Sequence, residues 1–263
     1  SWVSRSEAGV FVQSVTTLSS NTAYVVKAQL RVGSMILSGE EKGFSTSDAP
    51  IVLWHFNEGS GVIADDSVGN NDGVLIRSPT WVNGKDGKAL NFNGNDTYVT
   101  VADSNALDLS TQGTIMAWIY IDTHKSYAGI VHKGALKSFS DEAYSFQFDG
   151  STKKIMLGLK NITGTERLLT GSTTFATGTW YHVAGTWNAT TMKVYVNGQT
   201  DGSQPTNNIL PKISTGSLQI GAQLTEVYNS NYRYFGFDGT IDMVMIFNRM
   251  VPSEEISSYY HLL

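Results

Sequence analysis

No cysteine occurs in the 263 residues. That absence removes disulfide frameworks, thiolate metal centres and cysteine nucleophiles together. Charge is sparse as well. Only 16% of residues are charged, and the net charge of −5 argues against a nucleic-acid polyanion as partner. No stretch reaches the unbroken apolar length that a membrane-spanning helix needs. Proline is rare at 5 residues while glycine is plentiful at 26, and turn dipeptides recur, a balance suited to many strands joined by tight turns. With 41% apolar residues the chain can fill a packed core and is not disordered by composition.

Residues 179–199, TWYHVAGTWNATTMKVYVNGQ, are the most informative stretch. Two runs alternate apolar and polar residues about the short polar turn at 188–191, which predicts a β-hairpin. The second run ends in Asn197-Gly198, a dipeptide suited to a tight turn with positive φ. Similar short runs recur at 51–57, 89–92, 98–101, 113–121, 128–133, 144–148, 154–159, 218–222 and 239–247. Regular strands with scarcely any helical periodicity predict an all-β, antiparallel jelly-roll β-sandwich. One short helix is expected near Pro252-Ser253-Glu254-Glu255-Ile256, with a cap and an acidic first turn.

The chain divides at Ser47-Asp48-Ala49-Pro50 into residues 1–47 and 48–263. Strand-like runs in the first part fall at 9–16, 23–32 and 42–46. There Leu18, Tyr24 and Phe44-Ser45-Thr46 resemble the last strands of a fibronectin type III domain. A half-sandwich leaves an apolar face and strand edges uncovered, so the segment is expected to be a truncated remnant, to pack on the second part, or to be completed by another chain.

In the second part, three groups of residues carry a wider resemblance. They are Trp54-His55-Phe56-Asn57-Glu58-Gly59 with Asp66-Ser67-Val68-Gly69; Gly87-Lys88-Ala89-Leu90-Asn91-Phe92-Asn93-Gly94 with Ala117-Trp118-Ile119; and Trp180-Tyr181-His182-Val183-Ala184, Tyr195-Val196-Asn197-Gly198 and Phe237-Asp238-Gly239-Thr240-Ile241-Asp242. Together these resemble a LamG-like jelly roll of the concanavalin A-like lectin/glucanase superfamily over nearly all of residues 51–263. Where that family often carries exposed charge, this chain has Met243 and Met245. The outer surface there is expected to be covered by the N-terminal piece or another subunit. His182, alternating with Tyr181 and Val183, reads as a packed, hydrogen-bonded histidine.

Between residues 58 and 72 the chain is rich in oxygen donors and free of sulfur, which suits Ca²⁺. The resemblance implies a structural Ca²⁺ held by Glu58, Asp66 and Asp242. The same residue types also build Asx turns and loop hydrogen bonds.

The superfamily includes glycoside hydrolases, which need two closely spaced carboxylates. No strand here carries alternating acidic residues on one face, and Asp141-Glu142 lies in a polar segment. No catalytic residues are assigned. The expected function is a non-enzymatic, extracellular or cell-surface carbohydrate-binding and adhesion module with a glycan or polysaccharide as partner. The alternative is a structural subunit of a filament, appendage or viral fibre that assembles with further copies. Sugars are bound by aromatic platforms with amides and charged groups to orient hydroxyls. Two segments offer these: 122–127 with His124 and Tyr127, and 226–235. The second holds Tyr228, Asn229, Asn231, Tyr232, Arg233, Tyr234 and Phe235. Tyr127, Tyr228, Asn231, Tyr232, Arg233 and Tyr234 are the candidate ligand-binding residues.

Overall fold

The alternation of polar and apolar residues resolves into strands almost throughout the computed structural model, which describes residues 23–32, 35–45, 49–134, 141–226 and 232–263. The chain forms two compact units, Ser1–Ala49 and Pro50–Leu263. In the first, β1 (Ala23–Val32) pairs antiparallel with β2 (Met35–Ser45), the register shifting between Lys27 and Gln29. The second strand thus starts well before residue 42, where the strand-like run was expected to begin. The run at 9–16 lies outside the described residues.

In the second unit two sheets face each other. Sheet one contains β4 (Ile63–Ala64), β5 (Gly73–Ile76), β8 (Tyr98–Val101), β10 (Ala128–Lys133), β11 (Tyr144–Asp149), β12 (Lys154–Lys160), β13 (Glu166–Thr170) and β17 (Leu218–Ile220), in the order β13-β12-β11-β10-β17-β8-β5-β4. Sheet two contains β6 (Thr80–Asn83), β7 (Lys88–Asn93), β9 (Gly113–Ile121), β14 (Trp180–Trp187), β15 (Thr191–Val196), β16 (Gln199–Pro205) and β20 (Asp238–Phe247), in the order β16-β15-β14-β9-β20-β7-β6. β3 (Val52–Trp54) also pairs with β20. Among the described residues all pairings are antiparallel, and hairpin neighbours alternate with partners distant in sequence, such as β9 with β14 and β20 and β8 with β17, as in a jelly roll.

The expected hairpin at 179–199 forms between β14 and β15. Asn197 and Gly198 both take positive φ, 49° and 76°, and turn the chain directly into β16. Two expected strands are shorter than the apolar runs. The run at 51–57 ends as a strand at Trp54, and Phe56 takes φ 56°. The run at 218–222 breaks at Gly221, whose φ is +83° and where a Cβ would lie 2.4 Å from the Phe92 ring. Beyond it a separate ribbon forms from β18 (Ala222–Glu226) and β19 (Tyr232–Gly236).

Trp54, Phe92, Phe146, Phe148, Val183, Trp187 and Ile241 fill the space between the sheets. The larger polar tips there are satisfied. Trp54 Nε1 donates to Asn71 O at 2.9 Å, and Tyr144 OH to Leu107 O at 3.0 Å. Lys133 is fully buried. Its ammonium donates to Asp103 Oδ1 at 2.6 Å, Ser214 O at 2.7 Å and Gly216 O, tying two loops to the end of β10.

A second apolar layer lies on the outer face of sheet two. Met116, Ala184, Tyr195, Met245 and Phe247 pack there with Val251 and Ile256. The cover expected from the N-terminal piece or another subunit is instead supplied by the chain's own helix α1 (Ser253–His261). That helix has Pro252 at its N-cap with no side-chain capping bond. Arg249 anchors its first turn by gripping both oxygens of Glu255 at 2.8 and 2.6 Å. His182 is packed as expected, 5.4 Å from the Trp118 ring, but it is not hydrogen-bonded: neither ring nitrogen has a partner. Aromatic neighbours offer no lone pair, and burial pushes its pKa down to about 4.

Candidate functional site

Tyr127 ends the loop between β9 and β10, immediately before Ala128. Its backbone is held in the left-handed region at φ 58°, a conformation that costs a bulky residue on the order of 1 kcal/mol or more. The surrounding contacts impose it. Asp122 N donates to Asp238 O at 2.9 Å, and the Asp122 carboxylate accepts from Asn91 Nδ2 at 3.0 Å. Gly150 N donates to Lys125 O at 3.0 Å. The His124 ring lies 5.6 Å from Phe148 in a stacked arrangement, with Nε2 donating to Phe175 O at 3.2 Å. The loop therefore presents the Tyr127 ring, 49% exposed, from a fixed base. Phe235 meets that ring edge-on, centroids 5.8 Å apart.

Phe235 belongs to β19, so residues 226–235 are not a continuous loop. Gln223 pairs with Phe235, Thr225 with Arg233 and Glu226 with Tyr232. Three of the five β19 residues are aromatic, a composition suited to a strand. Tyr232, Arg233 and Tyr234 lie on β19, whereas Tyr228, Asn229 and Asn231 lie outside the described residues. Of the candidate ligand-binding residues, Tyr127 is placed at this site, against Phe235 of the second aromatic segment.

The sequence reading missed the polar groups beside this pair. β11 reads Tyr144-Ser145-Phe146-Gln147-Phe148-Asp149, with its aromatics in the core and its polar residues on the opposite face. Gln147 lies opposite Gly129, two residues beyond Tyr127, and a Cβ on Gly129 would come within 2.3 Å of Gln223 N. The ribbon of β18 and β19 thus rests on sheet one at this point. Further along, His132 Nδ1 donates to Gln219 Oε1 at 2.8 Å. The signal available was the strict alternation of aromatic and polar residues along β11.

The three expected metal ligands have separate engagements. Asp66 Oδ1 accepts from Leu53 N at 3.0 Å and Val68 N at 3.3 Å, while Oδ2 accepts from Asn71 N and Nδ2 at 3.0 Å. Burial alone would raise its pKa, but these amides hold the carboxyl below the usual range. Glu58 Oε1 accepts from Asp65 N at 2.8 Å. Asp242 Oδ2 accepts from Lys85 N at 2.7 Å and Asp86 N at 3.1 Å, and its buried Oδ1 has no partner. Burial pushes this carboxyl up to about 6, against the opposing pull of its backbone amides. Among the described residues no three acidic or histidine side chains gather, so these carboxylates do not converge on one cation shell. Of the three, only Asp242 has a buried oxygen without a partner.

Residues 93–257, more than half of the chain, match the Laminin_G_3 family model, described as the concanavalin A-like lectin/glucanases superfamily. The chain belongs to that superfamily. Solved structures of other proteins share its fold. Domain 4 of AbnA, an extracellular GH43 arabinanase from Geobacillus stearothermophilus solved with arabinotriose, is 19% identical with a TM-score of 0.62, covering 80% of this chain and 97% of that one. The binding domain of Paraclostridial Mosquitocidal Protein 1 is 13% identical with a TM-score of 0.62, covering 81% and 52%. The botulinum neurotoxin serotype D ligand-binding domain in complex with N-acetylneuraminic acid is 16% identical with a TM-score of 0.60, covering 81% and 50%. The chain thus spans about half the length of the toxin domains. At these identities the likeness shows the fold alone. No curated protein sequence matches the chain.

Proposed function

We propose that this concanavalin A-like domain is a non-enzymatic carbohydrate-binding module of an extracellular or cell-surface protein. The observation that carries the reading is the exposed Tyr127 ring, buttressed by Phe235 and held on a pinned loop. A sugar offers an apolar CH face to such a ring. Support also comes from the fold relatives, whose structures hold arabinotriose and N-acetylneuraminic acid. Two of the named relatives are binding domains, which agrees with a role in recognition.

The test is a glycan array that includes arabino-oligosaccharides and sialylated glycans, run in calcium and again in chelator. The second condition addresses a structural Ca²⁺ at Asp242, whose Oδ1 is unpartnered. Tyr127→Ala removes a stacking platform from an exposed position, so affinity falls on the order of tenfold while the melting temperature holds. Absence of binding in both conditions refutes the reading.

The second reading, a structural subunit of a filament, appendage or viral fibre, draws on the N-terminal unit. Its described residues form a two-stranded ribbon, an element that is marginal by itself and gains stability from further strands. A remnant of a fibronectin type III domain would present strand edges to another chain. Concentration-dependent self-association of the intact chain, lost on removing residues 1–47, would support this reading.

A further inference from the structure

Helix α1 covers the outer face of sheet two only in part. Met116, Tyr195, Met245 and Phe247 lie in the apolar layer with Ile256 of the helix. Nearer the end of α1, Tyr260 stacks on Trp118 at 5.7 Å, and Trp118 and His182 are 3% and 0% exposed. Two residues on along each strand, on the same face, come Tyr120 and Trp180, which pair across β9 and β14. Here the cover ends. Both rings are part-exposed, with centroids 5.6 Å apart and planes tilted by 58°.

The row continues across the sheet. Tyr120 pairs with Thr240 of β20, and Thr240 with Asn91 of β7. Asn91 Nδ2 donates to Thr240 Oγ1 at 3.1 Å and to Asp122 Oδ2 at 3.0 Å, which fixes the amide and leaves its Oδ1 to accept. Among the described residues neither Trp180 Nε1 nor Tyr120 OH has a hydrogen-bond partner, and neither atom is closed off from solvent. Trp54, Trp81 and Trp187 differ, since each indole N–H donates to a carbonyl. Gly178 lies beside the phenol, where a Cβ would come within 3.6 Å of Tyr120 OH, so the absent side chain leaves that flank open. Three strand spacings of about 4.8 Å separate Trp180 from Asn91, roughly 14 Å in all.

Two part-exposed rings with free donors at their tips, and a fixed amide acceptor in the same row, match a particular chemistry. The complement has apolar CH faces and hydroxyls that both give and take hydrogen bonds. The exposed carboxylate of Asp122 beside Asn91 disfavours an anionic ligand. We propose that this face is a second carbohydrate site, which takes a neutral oligosaccharide lying across β14, β9, β20 and β7. Sugar rings stack on Trp180 and Tyr120, and hydroxyls bond Trp180 Nε1, Tyr120 OH and Asn91 Oδ1. The ligand class rests on the carbohydrate reading above, but none of these contact residues belongs to the Tyr127 site. A module with two separate sites bridges two polysaccharide chains, or grips one twice, and gains avidity without further contacts.

The experiment titrates the full chain with arabino-, xylo- and gluco-trisaccharides and with a sialylated trisaccharide. Tyr127→Ala should retain binding of at least one neutral trisaccharide. In that background Trp180→Ala should lower the retained affinity about tenfold or more. Tyr120→Phe, which keeps the ring and breaks no bond within the protein, should lower it about three- to fivefold with the melting temperature unchanged. That variant keeps the test decisive if Trp180→Ala loses stability. Retained affinities within about twofold for both variants, or loss of all neutral binding with Tyr127→Ala alone, overturn the second site while the carbohydrate reading stands. Equal binding of the sialylated trisaccharide through Trp180 overturns the assignment of a neutral ligand. Absence of binding by every trisaccharide overturns the second site, and the wider array then decides the carbohydrate reading separately.

Discussion

Replacing Lys133 by methionine keeps the apolar stem in place and deletes the ammonium. Three oxygens then lose a donor at once: Asp103 Oδ1, Ser214 O and Gly216 O. Asp103 is over a third exposed and can turn to water, so its loss contributes little. The bonds to the two carbonyls are buried, and each unsatisfied group costs about 1–3 kcal/mol. The sum, about 2–6 kcal/mol, spans the usual cost of breaking a buried ionic contact from one side. For a unit of this size that is a fall in melting temperature of roughly 4–24 °C. Asp103→Asn is the matched control, since it leaves both carbonyl bonds intact and should cost about 1 kcal/mol or less. Differential scanning calorimetry on the three proteins measures this directly. If Lys133→Met melts within about 3 °C of the parent, the ammonium is not what holds these loops to β10.

Opposed titrations predict a flat pH profile. His182 has a folded pKa of about 4 against 6.5, so the unfolded chain binds more protons between those values and stability rises with pH. Asp242 has a folded pKa of about 6 against 3.8, so the folded chain binds more and stability falls with pH over nearly the same window. Measured by urea unfolding in chelator, His182→Phe should expose the falling arm and Asp242→Asn the rising one, each roughly 3 kcal/mol between pH 4 and 6. Parallel profiles for the two variants would reject both assignments. At Gly221, alanine must adopt φ +83° and place its Cβ 2.4 Å from the Phe92 ring, for a loss of about 2–4 kcal/mol; a thermal shift under 2 °C would show that the turn relaxes.

What the sequence disclosed follows burial. β9, β14 and β15 stand out because nearly every position is buried, one face in the core and the other under the second apolar layer, so apolar and aromatic residues run through them. β16, reading Gln-Thr-Asp-Gly-Ser-Gln-Pro at the sheet edge, buries almost nothing and left no pattern to read. The same logic divides the site. Tyr127 was legible as an aromatic in a polar loop. Gln147 was not, because a polar residue between core aromatics looks like an ordinary solvent-facing position. Asp66 resembled a metal ligand because residue type alone cannot show four amide hydrogen bonds folding onto its carboxylate. Only the tertiary structure shows which donors arrive.

The place of β20 bears on the order of events during synthesis. This late strand is not added at an edge; it lies between β9 and β7, and β3 also pairs with it. A nascent chain that has emerged only as far as Gly236 holds the flanking strands of sheet two with their central partner still inside the ribosome. Residues more than a hundred positions apart must wait for it, and the methionine layer beyond must wait longer still for α1. Such a topology closes late and all at once. A translational pause shortly before residue 238 would hold the domain at its most adhesive, and chaperone occupancy on stalled chains should peak there and drop once α1 has cleared the exit tunnel.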